Sequence, residues 1–171
     1  MRTVNFTEED SIAAAEEWNF NCGPGALCAV LDKTPNEIRS LMGDFEKKGY
    51  TNPTLMQECL SRAGACYKQT YRSDLPKELP FFLPEVKFGV VRIQWAGPWT
   101  EPKVPMRVRY RHTHWIAVAG NEVFDVNAMK IGGWIDFPLW AGSLVPWIVK
   151  YCVPKGTGRW WPTHAYEVER R

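Results

Sequence analysis

The stretch Trp18-Asn19-Phe20-Asn21-Cys22-Gly23-Pro24-Gly25-Ala26-Leu27 sets a polar, turn-forming approach against a small-residue helix, with a thiol in the first turn. The first N–H groups of a helix have no intrahelical acceptor and together carry about half a positive charge. A sulfur placed there is held as thiolate at a pH below the free value of about 8.5, which is what a nucleophilic cysteine needs. Pro24 falls in the first turn, where a missing N–H is harmless, and Ala26, Leu27, Ala29, Val30 and Leu31 carry the helix to Asp32 with a small, aliphatic face toward the core.

Working outward, Thr7-Glu8-Glu9-Asp10 resembles a helix start and predicts a short first helix to Glu17. Thr34-Pro35-Asn36-Glu37 is a cap signature for a third helix through Ile38, Leu41 and Met42, ending near Gly43. Asn52-Pro53-Thr54 introduces a fourth, with Leu55, Met56, Cys59 and Leu60 at helical spacing and a stop at Ala63-Gly64. After Gly64 the pattern changes. Ala65 to Tyr71 alternates as a strand does, Pro76, Pro80, Pro84 and Pro98 interrupt the next region, and Lys87 to Trp95 reads as another strand. Gly97 to Pro105 is too proline-rich for a ladder, while Trp115 to Ala119 and Glu122 to Val126 are apolar runs joined by Gly120-Asn121 as a hairpin. Trp147 to Val153 reads as one more strand. Helices first and antiparallel strands second predict an α+β chain, one domain over 1–171 with a helical part at about 7–64 and a strand-rich part at about 65–171.

With 171 residues and 45% hydrophobic content, the chain can bury a core without staples. The formal net charge of +2 comes from interspersed Lys, Arg, Asp and Glu, which gives no ground for a nucleic-acid or anionic-membrane partner and favours a peptide or protein. The run Arg107-Val108-Arg109-Tyr110-Arg111 is read as a strand whose alternating arginines make a solvated face. The N-terminus lacks an apolar signal core, and no run of about 18 apolar residues occurs, so the expectation is a soluble, cytoplasmic protein. Five cysteines without a Cys-x-x-Cys pair predict reduced thiols, no structural metal and no cofactor. The nine tryptophans are read mainly as core. Nothing in the sequence fixes an oligomeric state.

A nucleophilic cysteine needs a base and a third group that orients it. Of the three histidines, His164 lies in the tail, and His112 and His114 both precede the first hairpin strand; His114 begins that strand and is the preferred base. If Gly120-Asn121 is a two-residue turn, Asn127 stands opposite His114 and Asp125 is its diagonal neighbour on the same face. If the turn is Ala119-Gly120, Asp125 faces His114 directly. Asp125 carries the charge that stabilises imidazolium and is the first choice as orienter, with Asn127 as the alternative.

Taken together, Asn21-Cys22-Gly23-Pro24-Gly25-Ala26-Leu27, His114-Trp115-Ile116-Ala117-Val118 and Val123-Phe124-Asp125 resemble the papain-like cysteine peptidases, in style nearest to their bacteriocin-processing branch. The resemblance spans roughly Asn19 to Asn127 and implies N-terminal helices packed on a C-terminal antiparallel sheet. It implies catalytic Cys22, His114 and Asp125, an acyl-enzyme intermediate, a peptide or isopeptide bond as target, and neither metal nor cofactor. Two positions depart from the family pattern. Glu16 stands six residues before the cysteine, where members commonly carry a Gln that donates to the oxyanion, and Asp125-Val126 replaces Asp-Pro. Asn19 and Asn21 are the side-chain amides that can take over the donation, beside the Cys22 backbone N–H. Two alternatives stay open: a binding module on the same scaffold without turnover, and deamidation or transpeptidation by the same triad.

Overall fold

The computed structural model describes residues 2–74 and 82–170. Its first part is helical: α1 (Glu8–Trp18), α2 (Cys22–Leu31), α3 (Pro35–Arg39), α4 (Phe45–Lys48) and α5 (Pro53–Arg62). Side chains set the starts of the longer helices. Thr7 Oγ1 accepts the Asp10 N–H while Asp10 Oδ2 accepts the Thr7 N–H, and Asn52 Oδ1 accepts the Leu55 N–H with Pro53 at the first helical position. The predicted third helix is shorter than expected. Regular α geometry ends at Arg39, tighter turns carry the chain to Met42, and α4 forms beyond Gly43, whose φ of 56° turns the chain.

The second part forms a six-stranded antiparallel sheet from β1 (Tyr67–Arg72), β2 (Phe88–Trp95), β3 (Thr113–Ala119), β4 (Glu122–Phe124), β5 (Trp134–Asp136) and β6 (Trp160–Val168), in the spatial order β1-β6-β2-β3-β4-β5. The α+β class read from the sequence is therefore what the chain forms. Pro76 and Pro80, expected to interrupt the segment before β2, lie outside the described residues. The hairpin register pairs Ala117 with Phe124 and Ala119 with Glu122, as the two-residue Gly120-Asn121 turn requires.

Each strand face covers its own core. Val90, Trp115, Ala117, Ala119, Tyr166 and Val168 pack against the N-terminal helices, with α2 lying over β2 and β3. On the opposite face, Val91, Ile93, Ile116, Val118 and Ala165 are covered by the segment after β5. There the sequence reading fails. Trp147 to Val153 is not a strand: α7 (Phe137–Leu139) runs through a π turn (Trp140–Leu144) into α8 (Val145–Cys152). The β-branched run Ile148-Val149 suggested a ladder, but Pro146 opens a helix and Val145, Ile148 and Val149 make a helical stripe toward the sheet. Burying side chains of this size is worth about 1.5–3 kcal/mol each, more than local strand preference supplies. Trp147 and Tyr151 are left exposed on the outer face.

The sequence reading missed two strands, the short β5 at the sheet edge and β6, which lies between β1 and β2. Pro162 lies within β6. The ladder slips there, with Arg92 paired to His164 and Ile93 to Pro162, so the extra residue Thr163 forms a bulge that accommodates the absent N–H. Close approach of β2 and β6 also explains Gly89, where a Cβ would lie 2.0 Å from the Tyr166 carbonyl oxygen. The arginine run is corrected as well. Pro105 leads into α6 (Met106–Arg109), and Arg109 folds back to donate from Nε to the Val104 carbonyl at 2.7 Å and from Nη2 to the Pro102 carbonyl. The three arginines thus share no solvated strand face. Among the described residues, no helix is long and apolar enough to cross a membrane.

Candidate active site

Cys22 is the first residue of α2, and the approach to it is a sequence of caps. Asn19, at φ 64°, closes α1 in the left-handed region; Asn21 then caps α2, its Oδ1 accepting the Gly23 N–H at 3.3 Å. Gly23 and Gly25 let the helix start come close to its neighbours. A Cβ on Gly23 would lie 2.1 Å from Thr51 Oγ1, and one on Gly25 3.2 Å from the Val126 side chain. The start of α2 is therefore set against the segment that carries Thr51 and the turn beyond β4.

His114 projects from the second position of β3 on the face opposite Trp115, and its ring lies 5.9 Å from that of Trp95. Its Nε2 is 2.9 Å from Asp125 Oδ2, and the same imidazole acts on the Cys22 thiol. With Nε2 given to the carboxylate, Nδ1 is the nitrogen left for the sulfur. Asp125 is fully buried at the end of β4, where the strand gives way to a 3₁₀ turn (Val126–Ile131). Four donors converge on it. Oδ2 accepts from His114 and, at 2.8 Å, from Trp140 Nε1; Oδ1 accepts the Asn127 backbone N–H at 2.9 Å and Asn127 Nδ2 at 3.0 Å.

Electrostatics follow from this arrangement. Burial pushes the Cys22 thiol up, but the charge of His114, its hydrogen bond and the Trp115 backbone N–H outweigh it and hold the thiol below its ordinary value. Burial likewise opposes the His114 charge, yet Asp125 and then Cys22 keep the imidazole protonated well above the usual range. The Asp125 carboxyl is lowered by His114, Trp140 and Asn127 against its own desolvation. A thiolate–imidazolium pair backed by a carboxylate is the state these groups favour. Two other helix cysteines behave oppositely: Cys28 is sealed in the core with its thiol raised far out of range by burial, and Cys59 is pushed up to about 11. Cys22 alone of these three keeps partial exposure.

The remaining sequence-predicted residues take other places. Asn127 does not reach the imidazole; the 3₁₀ turn carries it off the strand, and it holds Asp125 instead. Neither amide proposed for the oxyanion is free of other work, since Asn19 Nδ2 donates to the Glu46 carbonyl at 3.3 Å and Asn21 Nδ2 to the Gly49 carbonyl at 3.0 Å. Glu16 is exposed on α1. His112, at φ 54°, stands outside the triad with its ring against Trp99. Among the described residues, no group of three His, Cys, Asp or Glu is placed to hold a metal ion.

Three residues of this region escaped sequence reasoning. Trp140 offered no local signal beyond being aromatic. His164, placed in the tail, comes back through β6 to lie beside Arg92, and burial together with Arg92 and Arg72 lowers its imidazole to about 4. Arg92 is 6% exposed in a strand of otherwise apolar or amide character; a charge in such a run was the available hint. Beside the triad lies a cavity of about 810 Å³ whose wall includes Thr51, which abuts Gly23, and Thr113, which precedes His114. No protein-family model, curated protein or solved structure matches this chain, so the reading of the site rests on its own geometry.

Proposed function

We propose that the chain is a papain-like thiol hydrolase that cleaves a peptide or isopeptide bond with Cys22 as nucleophile, His114 as acid and base, and Asp125 as orienter. The observation that carries this reading is the His114 imidazole held to Asp125 while it acts on the Cys22 thiol, with every acceptor position of the buried carboxylate engaged. The Cys22 thiolate adds to the carbonyl carbon, and the carbonyl electrons move to oxygen. The Cys22 backbone N–H, without an intrahelical acceptor at the first position of α2, is the oxyanion donor at hand. Collapse expels the amine, which takes the proton from His114 and leaves a thioester on Cys22. Water then gives a proton to His114 and its hydroxyl to the acyl carbon, releasing the acid and restoring the ion pair.

Commitment of both Asn19 and Asn21 amides to backbone carbonyls favours one second reading, a module that binds peptides in the same groove without turnover. Incubation of the protein with a diverse peptide mixture and mass spectrometry of the products separates the readings. The hydrolase reading expects cleavage products with the mass of one added water, absent in Cys22→Ala, together with iodoacetamide labelling of Cys22 at pH 6. A Cys22 that labels as slowly as a free thiol at that pH, with no products, overturns it. Products differing by the amide-to-acid mass change, or joined peptides, would assign the same triad to deamidation or transpeptidation.

A further inference from the structure

The cavity beside the triad is basic. Four arginines line it, Arg72, Arg92, Arg107 and Arg111, against one carboxylate among the lining residues, Asp74. That carboxylate is already engaged: Oδ1 accepts from the Tyr110 hydroxyl at 3.0 Å, and Oδ2 lies 3.7 Å from an Arg72 nitrogen. Arg92 is the member that matters, because it is buried. Its Nη2 donates to Thr113 Oγ1 at 3.3 Å and its guanidinium carbon lies 5.6 Å from the centre of the Tyr110 ring, but its Nε has no hydrogen-bond partner among the described residues. It makes no ion pair among them either. A guanidinium withdrawn from water with an open donor is costly unless an anion completes it, and the planar fork fits a carboxylate bidentately.

The position of Arg92 ties this gap to the thiol. Arg92 pairs directly across the ladder with Trp115, whose backbone N–H points at the Cys22 sulfur, and residues paired this way stand about 5 Å apart. Thr51 and Thr113, the walls of the cavity on that side, adjoin Gly23 and His114. A group held by Arg92 is therefore within a residue or two of the carbonyl presented to Cys22.

We infer that the cavity is a subsite for a substrate carboxylate, received by Arg92 between Thr113 and Tyr110, so that the preferred substrate is a peptide with an acidic side chain or a free C-terminus next to the scissile bond. This deepens the hydrolase reading and rests on it. Tyr110 packs its ring against the Arg92 guanidinium and Arg107 and Arg111 add a long-range field, whereas the buried Arg92 supplies the specific contact.

The test uses three alkylating probes of equal size. Iodoacetyl-glutaminamide is neutral, iodoacetyl-glutamine carries only the α-carboxylate, and iodoacetyl-glutamate α-amide only the side-chain carboxylate. Rates of Cys22 modification are measured at pH 6 in low salt. At least one carboxylate probe should react about tenfold faster than the neutral probe and show saturation, and which one does so tells a C-terminal from a side-chain source. The preference should shrink with added salt, collapse to a ratio near one in Arg92→Gln, and partly survive in Arg92→Lys. Equal rates for all three probes in the unaltered protein, or a preference that persists in Arg92→Gln, would overturn the inference. If Arg92→Gln does not fold, binding of N-acetylglutamate α-amide and N-acetylglutamine to Cys22→Ala, each against N-acetylglutaminamide by calorimetry, decides in its place; absence of selective binding refutes the subsite. Selective binding beside an unreactive thiol would sink the hydrolase reading alone, and a reactive thiol without carboxylate preference would sink the subsite alone.

Discussion

Asp125→Asn removes one charge from the centre of the site while nearly keeping its shape, and its effect should be read at the sulfur two groups away. The carboxylate oxygen Oδ2 lies 2.9 Å from His114 Nε2. Unit charges that close attract by about 6 kcal/mol at an effective dielectric constant of about 20, and spreading each over its ring or carboxylate brings this to about 2–3 kcal/mol. His114 stands high because Asp125 and then Cys22 outweigh its burial, so without the carboxylate its imidazolium titrates lower. Against burial, the charge on His114 is what chiefly keeps Cys22 ionised, so the thiol titrates correspondingly higher. The ion pair exists between the lowered thiol value and the raised imidazole value, and the substitution narrows that window from both sides. Second-order rates of iodoacetamide alkylation from pH 4 to 10 should fall about 10–100-fold at pH 6 in the variant and converge at pH 10. Adducts must be assigned to Cys22 by peptide mass, because Cys66 and Cys152 are exposed and also react. Asparagine turns an NH2 group toward two of the four existing donors, which costs stability, so a cooperative thermal transition is the control. Asp125→Glu, which keeps the charge but displaces it, serves if the amide variant does not fold and should give an intermediate profile. Superimposable profiles from folded protein would refute the reasoning.

Trp140→Phe keeps a ring in the buried site and deletes one donor to Asp125, so it should lower stability by about 2–4 kcal/mol in urea titrations, from the lost charge-assisted hydrogen bond plus the space left by the smaller ring. It should also raise the pH at which Cys22 alkylation falls off on the acid side, since Asp125 then protonates more readily. His164 governs stability toward acid. Its folded value of about 4 lies below the ordinary 6.5, so the unfolded chain binds the extra proton first, and stability is intact above pH 6.5 and lost as pH falls toward 4. The loss amounts to at most about 3 kcal/mol, and His164→Gln should flatten that slope in denaturant titrations. His114 does not contribute to this slope, since its raised value keeps its stabilisation complete below pH 6.5.

Local chemistry made much of the chain legible. The capping pairs Thr7 with Asp10 and Thr34 with Glu37, and the prolines at the starts of α3 and α5, act within a few residues, so they marked helix starts that the fold keeps. Gly120-Asn121 is the turn the hairpin adopts, and either two-residue turn read from the sequence put Asp125 on the imidazole's face. Where a segment's fate depended on what it packs against, the pattern misled. Ile148 and Val149 read as strand because they are β-branched, but the apolar face of the sheet asked for a helical stripe. The β6 segment went unread as a strand, and the bulge that lets Pro162 sit in it is a property of the pair, not of one strand.

By itself the sequence determined the local settings of the candidate groups: a thiol at a helix start, an imidazole at a strand start and a carboxylate after a tight hairpin, each set by interactions among near neighbours. Only the tertiary structure decided what they meet. The docking of α2 over β2 and β3 brings Cys22 to His114, the return of the chain after β5 brings Trp140 to Asp125, and the insertion of β6 beside β2 sets His164 next to the buried Arg92. Those meetings join residues far apart along the chain, and their free energy comes from burying whole faces of helices and sheet, a quantity no local window of sequence contains.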